Sequence, residues 1–81
     1  MSLFSKTNPD SNRELLYGWS EELGSFYQIR NLDLPEDSPK FVIESKSFLS
    51  DNLSKDELAS ILDDWDVPRE HILAVILGEN F

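Results

Sequence analysis

The residues best equipped for chemistry lie in one stretch, DDWDVPREH at positions 63–71, which contains four carboxylates and the only histidine of the chain. Hard cations such as Ca²⁺ prefer carboxylate oxygens, but the ligands must converge from a loop that wraps the ion, whereas these surround a helix end. Zinc needs three or four ligands in a tetrahedron, and His71 is the sole nitrogen candidate, with no HExxH motif around it. We therefore predict neither a metal site nor a cofactor.

The same stretch has a simpler interpretation as the joint between two helices. Asp66 is expected to cap the second helix, and Pro68 to lie in its first turn, where a missing N–H costs nothing. Trp65 is expected in the core of the helical hairpin. Asp63 and Asp64 follow at the C-terminal end of the first helix, where the helix dipole disfavours negative charge. Because local structure does not account for these two carboxylates, they are candidate partner contacts.

Other routes to catalysis find no support in the sequence. The chain has no cysteine, no G-x-S-x-G elbow and no glycine-rich phosphate loop among its three glycines. Adjacent carboxylates such as Glu21 and Glu22 would point about 100° apart on a helix, which is typical of a solvated surface rather than an acid–base pair. We expect that the protein is not an enzyme.

Charge restricts the partners more than any motif does. Sixteen Asp and Glu residues against seven Lys and Arg residues give a formal charge of −9. Such a surface repels nucleic-acid phosphates and anionic membranes and favours basic proteins. We therefore expect a basic protein partner, no specific nucleic acid and no membrane, and leave the oligomeric state open. The absence of cysteine and of a long apolar run favours the reducing cytoplasm.

Length and composition predict one small domain. With 81 residues the chain is near the lower size limit for a single hydrophobic core without disulfides or metal. Residues 1–10 are polar and contain the turn-forming pair Asn8-Pro9, which indicates a flexible N-terminal arm. Residues 11–81 are then expected to form a single acidic domain.

The first half of that domain is predicted to hold one helix and a small ribbon. An S-x-x-E capping box at Ser11 and apolar residues at helical spacing predict a helix over 12–23. The runs SFYQIRN and KFVIE are rich in aromatic and β-branched residues and are separated by turn formers. They predict a two-stranded antiparallel ribbon, which must lie on the helices because an isolated hairpin is marginal in water.

The last third predicts a helical hairpin. Ser54 and Glu57 form a second capping box, which gives helices over 54–65 and 67–77. The expected fold is therefore α+β, with about three helices, a two-stranded antiparallel ribbon and a C-terminal helical hairpin. The predicted core comprises Leu15, Leu16, Trp19, Leu23, Phe41, Ile43, Leu58, Ile61, Leu62, Trp65, Ile72, Val75 and Ile76.

The hairpin also suggests an alternative function. LSKDELASIL followed by VPREHILAVILGEN resembles the two central helices of the lambda-repressor type of helix-turn-helix domain, although DDWD replaces a tight glycine-containing turn. The resemblance implies that Arg69, Glu70 and His71 would lie at base edges. Residues 53–81, however, hold two basic against seven acidic side chains, a net charge of −5, and DNA affinity comes mainly from neutralising phosphates.

Two functions are therefore open. The favoured one is a small acidic protein-interaction module of the inhibitor, immunity-protein, antitoxin or nucleic-acid-mimic type, in which acidic side chains steer a basic partner and aromatic residues anchor it. The alternative is a diverged helix-turn-helix transcriptional regulator. The acidic side chains could also serve solubility alone. The predicted partner-binding residues are Glu36, Asp37, Asp63, Asp64 and Asp66.

Overall fold

Four strands precede three helices along the chain. The computed structural model describes residues 2–79. The elements are β1 (Ser2–Asn8), β2 (Arg13–Ser20), β3 (Gly24–Asn31), β4 (Val42–Ser47), α1 (Phe48–Asp51), α2 (Lys55–Asp64) and α3 (Arg69–Leu77). None of the helices within this range is both long and apolar enough to cross a membrane.

The strands form one antiparallel sheet in the order β1-β2-β3-β4. The predicted ribbon of two strands is therefore wrong in extent, although the chain remains in the α+β class. Its two strands are present as β3 and β4, and β1 and β2 extend the sheet. Larger sheets are favoured because each added strand satisfies more backbone groups and widens the apolar surface that the helices cover.

The predicted helix over 12–23 is also wrong, because these residues form β2 and the turn after it. The alternation of side chains decides between the two structures. Leu15 and Tyr17 point to the helices and are buried, whereas Leu16 lies on the opposite sheet face and is only half-buried. The helical spacing of leucines was coincidental, and the period of two in this segment matches a strand.

Residues 1–10, which the sequence predicted as a flexible arm, contain a strand in the structure. Ser2–Asn8 pairs along the whole of β2, from Ser2 opposite Trp19 to Asn8 opposite Arg13. Gly18 permits this close pairing, because a Cβ at this position would collide with the carbonyl oxygen of Ser2. The N-terminal segment is therefore an edge strand of the sheet.

The C-terminal helical hairpin is confirmed as α2 and α3. The hydroxyl of Ser54 accepts a hydrogen bond of 3.1 Å from the backbone N–H of Glu57, as its capping box predicts. Asp66 does not cap α3. It adopts a left-handed conformation with φ 58° in the turn, and the residue before α3 is Pro68, which makes no side-chain cap.

The core lies between one face of the sheet and the hairpin. Of the predicted core, Ile43 and Ile76 are exposed. The partly buried members are Leu16, Trp19, Leu23, Ile61, Trp65 and Ile72, of which the last three pack against the core cluster. The buried cluster consists of Leu15, Tyr17, Tyr27, Leu53, Leu58, Ala59, Leu62, Val67 and Val75, with Phe41 buried beside the β3–β4 loop. Two tyrosines therefore occupy central positions, although Tyr17 was predicted within a helix and Tyr27 within the ribbon.

Candidate functional site

Three connecting segments meet at one end of the sheet. They are the β1–β2 turn (residues 9–12), the β3–β4 loop (32–41) and the α2–α3 turn (65–68). The backbone N–H of Leu32 donates to the carbonyl oxygen of Asn12 over 2.9 Å, and the side-chain amide of Asn12 donates to the Asp33 carboxylate. The ammonium of Lys6 donates to the backbone carbonyl of Asp66 over 3.1 Å. These contacts bring together segments that are far apart in sequence.

This end of the molecule carries seven carboxylates, which we call the acidic end: Asp10, Asp33, Glu36, Asp37, Asp63, Asp64 and Asp66. All seven are exposed. The set includes the five residues that the sequence predicted for partner binding. The structure thus places those five either on these connecting segments or, for Asp63 and Asp64, at the end of α2 that leads into one of them.

The acidic end contains a groove of about 360 Å³ between the β1–β2 and α2–α3 turns. We call it the acidic groove, and its lining residues are Lys6, Thr7, Asn8, Pro9, Asp10, Asp64, Trp65 and Asp66. Trp65 is partly buried: it packs against the core cluster and also forms part of the groove wall. An indole surface beside three carboxylates is a suitable environment for a guanidinium or ammonium group.

The turns that form this groove are held by specific backbone conformations. The side-chain oxygen of Asn8 accepts a hydrogen bond from the N–H of Asp10, and Asn12 has a positive φ of 50°. On the other wall, the N–H of Asp66 donates to the carbonyl of Asp63, and that of Val67 donates to the carbonyl of Leu62. The carboxylates therefore project from ordered turns, while the side chain of Val67 is buried beneath them.

The β3–β4 loop is anchored at its second end by Phe41. The N–H of Asn31 donates to the Phe41 carbonyl over 2.7 Å, and the Arg30 guanidinium lies 5.6 Å from the centre of the Phe41 ring. Between these anchors, a turn closed by the Ser38 N–H and the Pro35 carbonyl presents Glu36 and Asp37 to solvent. The loop therefore holds two carboxylates outward on a fixed base.

Basic side chains near the acidic end, which include Arg13, Lys40 and Arg69, form no ion pair with its carboxylates in the described part of the chain. In the part of the chain that the structure describes, the ion pairs join Arg30 to Glu14 and Lys46 to Glu44 and Glu57, and all of these lie on the sheet or at the start of α2. Lys6 reaches the acidic end through a backbone carbonyl rather than a carboxylate. The charge at this end is thus left available to a partner.

His71, the histidine of the 63–71 stretch, packs against the sheet and does not lie among the carboxylates of the acidic end. The Nδ1 of His71 lies 2.7 Å from the hydroxyl of Tyr17, and its ring centre is 4.4 Å from that of Phe4. Burial raises the pKa of Tyr17 above its ordinary value. Within residues 2–79, no three histidine or carboxylate side chains converge as ligands for a metal ion.

Sequence reasoning missed three contributors to the groove. Lys6 and Asp10 were assigned to a flexible arm, and Trp65 was assigned only to the core. The turn-forming letters NPDSN at positions 8–12 could have indicated a β-hairpin, since they separate two runs that contain aromatic residues.

Comparisons with protein-family models, with curated proteins and with solved structures give no match. The function is therefore inferred from the charge distribution and the geometry of this chain.

Proposed function

We propose that this protein is an interaction module whose acidic end binds a basic protein partner. The observation that carries the proposal is the acidic groove, which Trp65, Asp10, Asp64 and Asp66 line together with Lys6, whose ammonium is hydrogen-bonded to the Asp66 carbonyl. A lysine or arginine side chain entering the groove would meet carboxylates and an aromatic surface together. An arginine is favoured where a planar cation can both stack and form two parallel hydrogen bonds.

The charge of the whole chain supports the same partner. A net charge of −9 on a small protein produces a field that attracts basic surfaces and accelerates their encounter. The exposed carboxylates around the groove act as a rim, which affects mainly the association rate. Inhibitors, immunity proteins, antitoxins and nucleic-acid mimics bind basic partners by this physics, and we place the protein in that class, without catalysis and in the cytoplasm.

A helix-turn-helix regulator has weaker support. The hairpin of α2 and α3 packs on a β-sheet, and the His71 ring contacts Tyr17 and Phe4 instead of projecting outward with Arg69 and Glu70. Most of the exposed charged side chains of the hairpin are acidic, so phosphate contacts would gain little from counterion release. No observation on the structure favours this alternative over the interaction module.

The proposal is tested by association kinetics with a partner purified from a host lysate by affinity capture. The variant Asp63→Lys with Asp64→Lys reverses two charges at the acidic end. The control variant Glu21→Lys with Glu22→Lys reverses two exposed charges at the opposite end of the sheet. Both change the formal charge by four, from −9 to −5, so a difference between them reports position and not total charge.

We expect the Asp63 and Asp64 variant to associate at least about tenfold more slowly at low salt, and the control variant to change the rate much less. The difference should shrink as salt is added, because exposed charges are screened. Equal slowing by the two variants would indicate a general charge effect and contradict a binding site at the acidic end.

A further inference from the structure

The outer side of α3 is apolar, although it faces solvent. Leu73, Ile76 and Leu77 are 49, 51 and 67% exposed. The inner side of the same helix carries Ile72, packed against the core, and Val75, which is buried. A surface helix normally has a polar outer side, so an apolar one marks a contact with another molecule.

An exposed stripe with two carboxylates lies on the neighbouring helix α2, and we call it the acidic stripe. Helices α2 and α3 are antiparallel neighbours, since a short turn joins them and Lys55 at the start of α2 lies beside Gly78 at the end of α3. The exposed residues of α2 include Asp56, Ser60 and Asp63. We call the combined surface the helical face, made of Asp56, Ser60, Asp63, Leu73, Ile76 and Leu77.

The orientation of the apolar stripe is fixed by contacts on the other side of α3. The hydrogen bond between Tyr17 and His71 joins the first turn of α3 to the sheet. Val75 is buried one turn later. These two attachments set the rotation of the helix about its axis, so the stripe stays outward when the chain is folded.

We propose that the helical face binds a basic amphipathic helix of the partner protein, an inference that rests on the proposed function for the sign of the partner's charge. Apolar side chains of that helix would cover Leu73, Ile76 and Leu77, as in helix recognition at spacings of three and four residues. Its lysine or arginine side chains would lie over Asp56 and Asp63. The helical face extends along the hairpin to Asp63, which also belongs to the acidic end, so one partner can contact both.

A second copy of this chain fits the helical face poorly. Each copy carries a charge of −9, and pairing two acidic stripes would add repulsion. An anionic membrane surface is disfavoured for the same electrostatic reason.

The test uses two synthetic peptides as probes. One places leucines on one side of a helix and lysines on the other, and the second has the same composition in scrambled order. Both are titrated against the full chain, the variant Leu73→Ser with Leu77→Ser, and a control, Leu3→Ser with Leu49→Ser. The control leucines are 57 and 67% exposed and lie on β1 and α1, away from the helical face.

We expect the amphipathic peptide to bind the full chain and to lose about tenfold or more in affinity against the Leu73 and Leu77 variant. The control should stay within roughly a factor of two, which separates this surface from exposed leucines in general. Thermal unfolding of each variant checks that the fold is retained. The single variant Ile76→Asp provides a second, independent disruption of the same stripe.

Several results would overturn the inference. They are equal binding of the scrambled peptide, equal loss in the control, no binding of the amphipathic peptide, or self-association that Leu73→Ser with Leu77→Ser abolishes. Binding to zwitterionic lipid vesicles that the same variant abolishes would assign the stripe to a membrane instead.

If Asp63→Lys with Asp64→Lys slows association with the purified partner while Leu73→Ser with Leu77→Ser leaves binding of both the peptide and the partner unchanged, only this inference fails. If Asp63→Lys with Asp64→Lys slows the partner no more than the Glu21 and Glu22 control does, the proposed function fails.

Discussion

The hydroxyl oxygen of Tyr17 and the Nδ1 of His71 lie 2.7 Å apart, so a hydrogen bond joins β2 to α3 across the core. The Phe4 ring stacks near both, with its centre 5.5 Å from that of Tyr17. Strand β1, strand β2 and helix α3 therefore meet at one cluster. This cluster positions the helical hairpin relative to the sheet, and with it the acidic groove and the helical face.

The two buried tyrosines should respond to different extents to loss of the hydroxyl group. Tyr17→Phe removes the hydrogen bond to His71 and should lower the free energy of unfolding by about 0.5–1.5 kcal/mol. Tyr27 is fully buried, and within the described residues its hydroxyl has no hydrogen-bond partner at bonding distance, although the Glu44 carboxylate lies near it. Tyr27→Phe should therefore change the free energy of unfolding by less than Tyr17→Phe does. Urea unfolding near neutral pH measures both, and a larger loss for Tyr27→Phe than for Tyr17→Phe would contradict this account of the core.

Stability should fall at alkaline pH because of the same tyrosines. Burial, followed by the nearby carboxylate of Glu44, raises the pKa of Tyr27 above its ordinary value of 10.0. Above that pH the unfolded chain loses tyrosine protons that the folded chain keeps, so the free energy of unfolding falls as pH rises. Below pH 10.0 the folded and the unfolded chain both keep the Tyr27 proton, so the free energy of unfolding is not reduced by this residue. Urea unfolding on either side of this pH should show a shallower decline for Tyr27→Phe than for the unaltered chain, and an unchanged slope would refute the assignment.

Much of the C-terminal half could be predicted from the sequence. The cap at Ser54 and the apolar stripe from Leu58 to Leu62 are local signals, and they give α2 without knowledge of the rest of the fold. Segment β2 lacked such a signal. Its residues Leu15, Leu16 and Trp19 fit a helical spacing as well as a strand alternation, and only pairing with β1 and β3 decides between them.

The candidate site likewise contains some residues that local sequence signals identify and others that only tertiary contacts identify. Asp63 and Asp64 could be selected because they lie where the helix dipole disfavours them. Asp10 and Lys6 could not, because they reach the groove only through the pairing of β1 with β2. Tertiary contacts between segments about 60 residues apart in sequence, such as Lys6 with Asp66, leave no pattern in a single sequence.

Gly18 should tolerate no side chain. Gly18→Ala places a methyl group against the carbonyl oxygen of Ser2, so β1 must shift away from β2. We expect a loss of about 1–3 kcal/mol in the free energy of unfolding, together with faster amide hydrogen exchange in β1. Ser5→Ala, an exposed change on the same strand, is the control and should stay within about 0.5 kcal/mol. Similar exchange rates in the two variants would mean that β1 does not depend on Gly18.

The protein should not bind duplex DNA at physiological salt. Residues 53–81 carry a net charge of −5, so there are too few cations to neutralise phosphates. Fluorescence anisotropy with mixed-sequence duplexes at about 0.15 M salt measures this. Sub-micromolar affinity that weakens steeply with added salt would instead favour the helix-turn-helix alternative.

The acidic groove is tested most directly by following the two tryptophans by NMR while an arginine-rich peptide is added. Trp65 lies in the acidic groove, whereas Trp19 lines a separate depression at the other end of the sheet, beside Gly24 and Gly78. We predict that the indole N–H signal of Trp65 and the backbone signals of Asp10, Asp64 and Asp66 shift together and saturate, and that added salt reverses the shifts. The Trp19 signal should stay in place. Shifts centred on Trp19, or spread evenly over all carboxylate-bearing segments, would contradict a binding site at the acidic end.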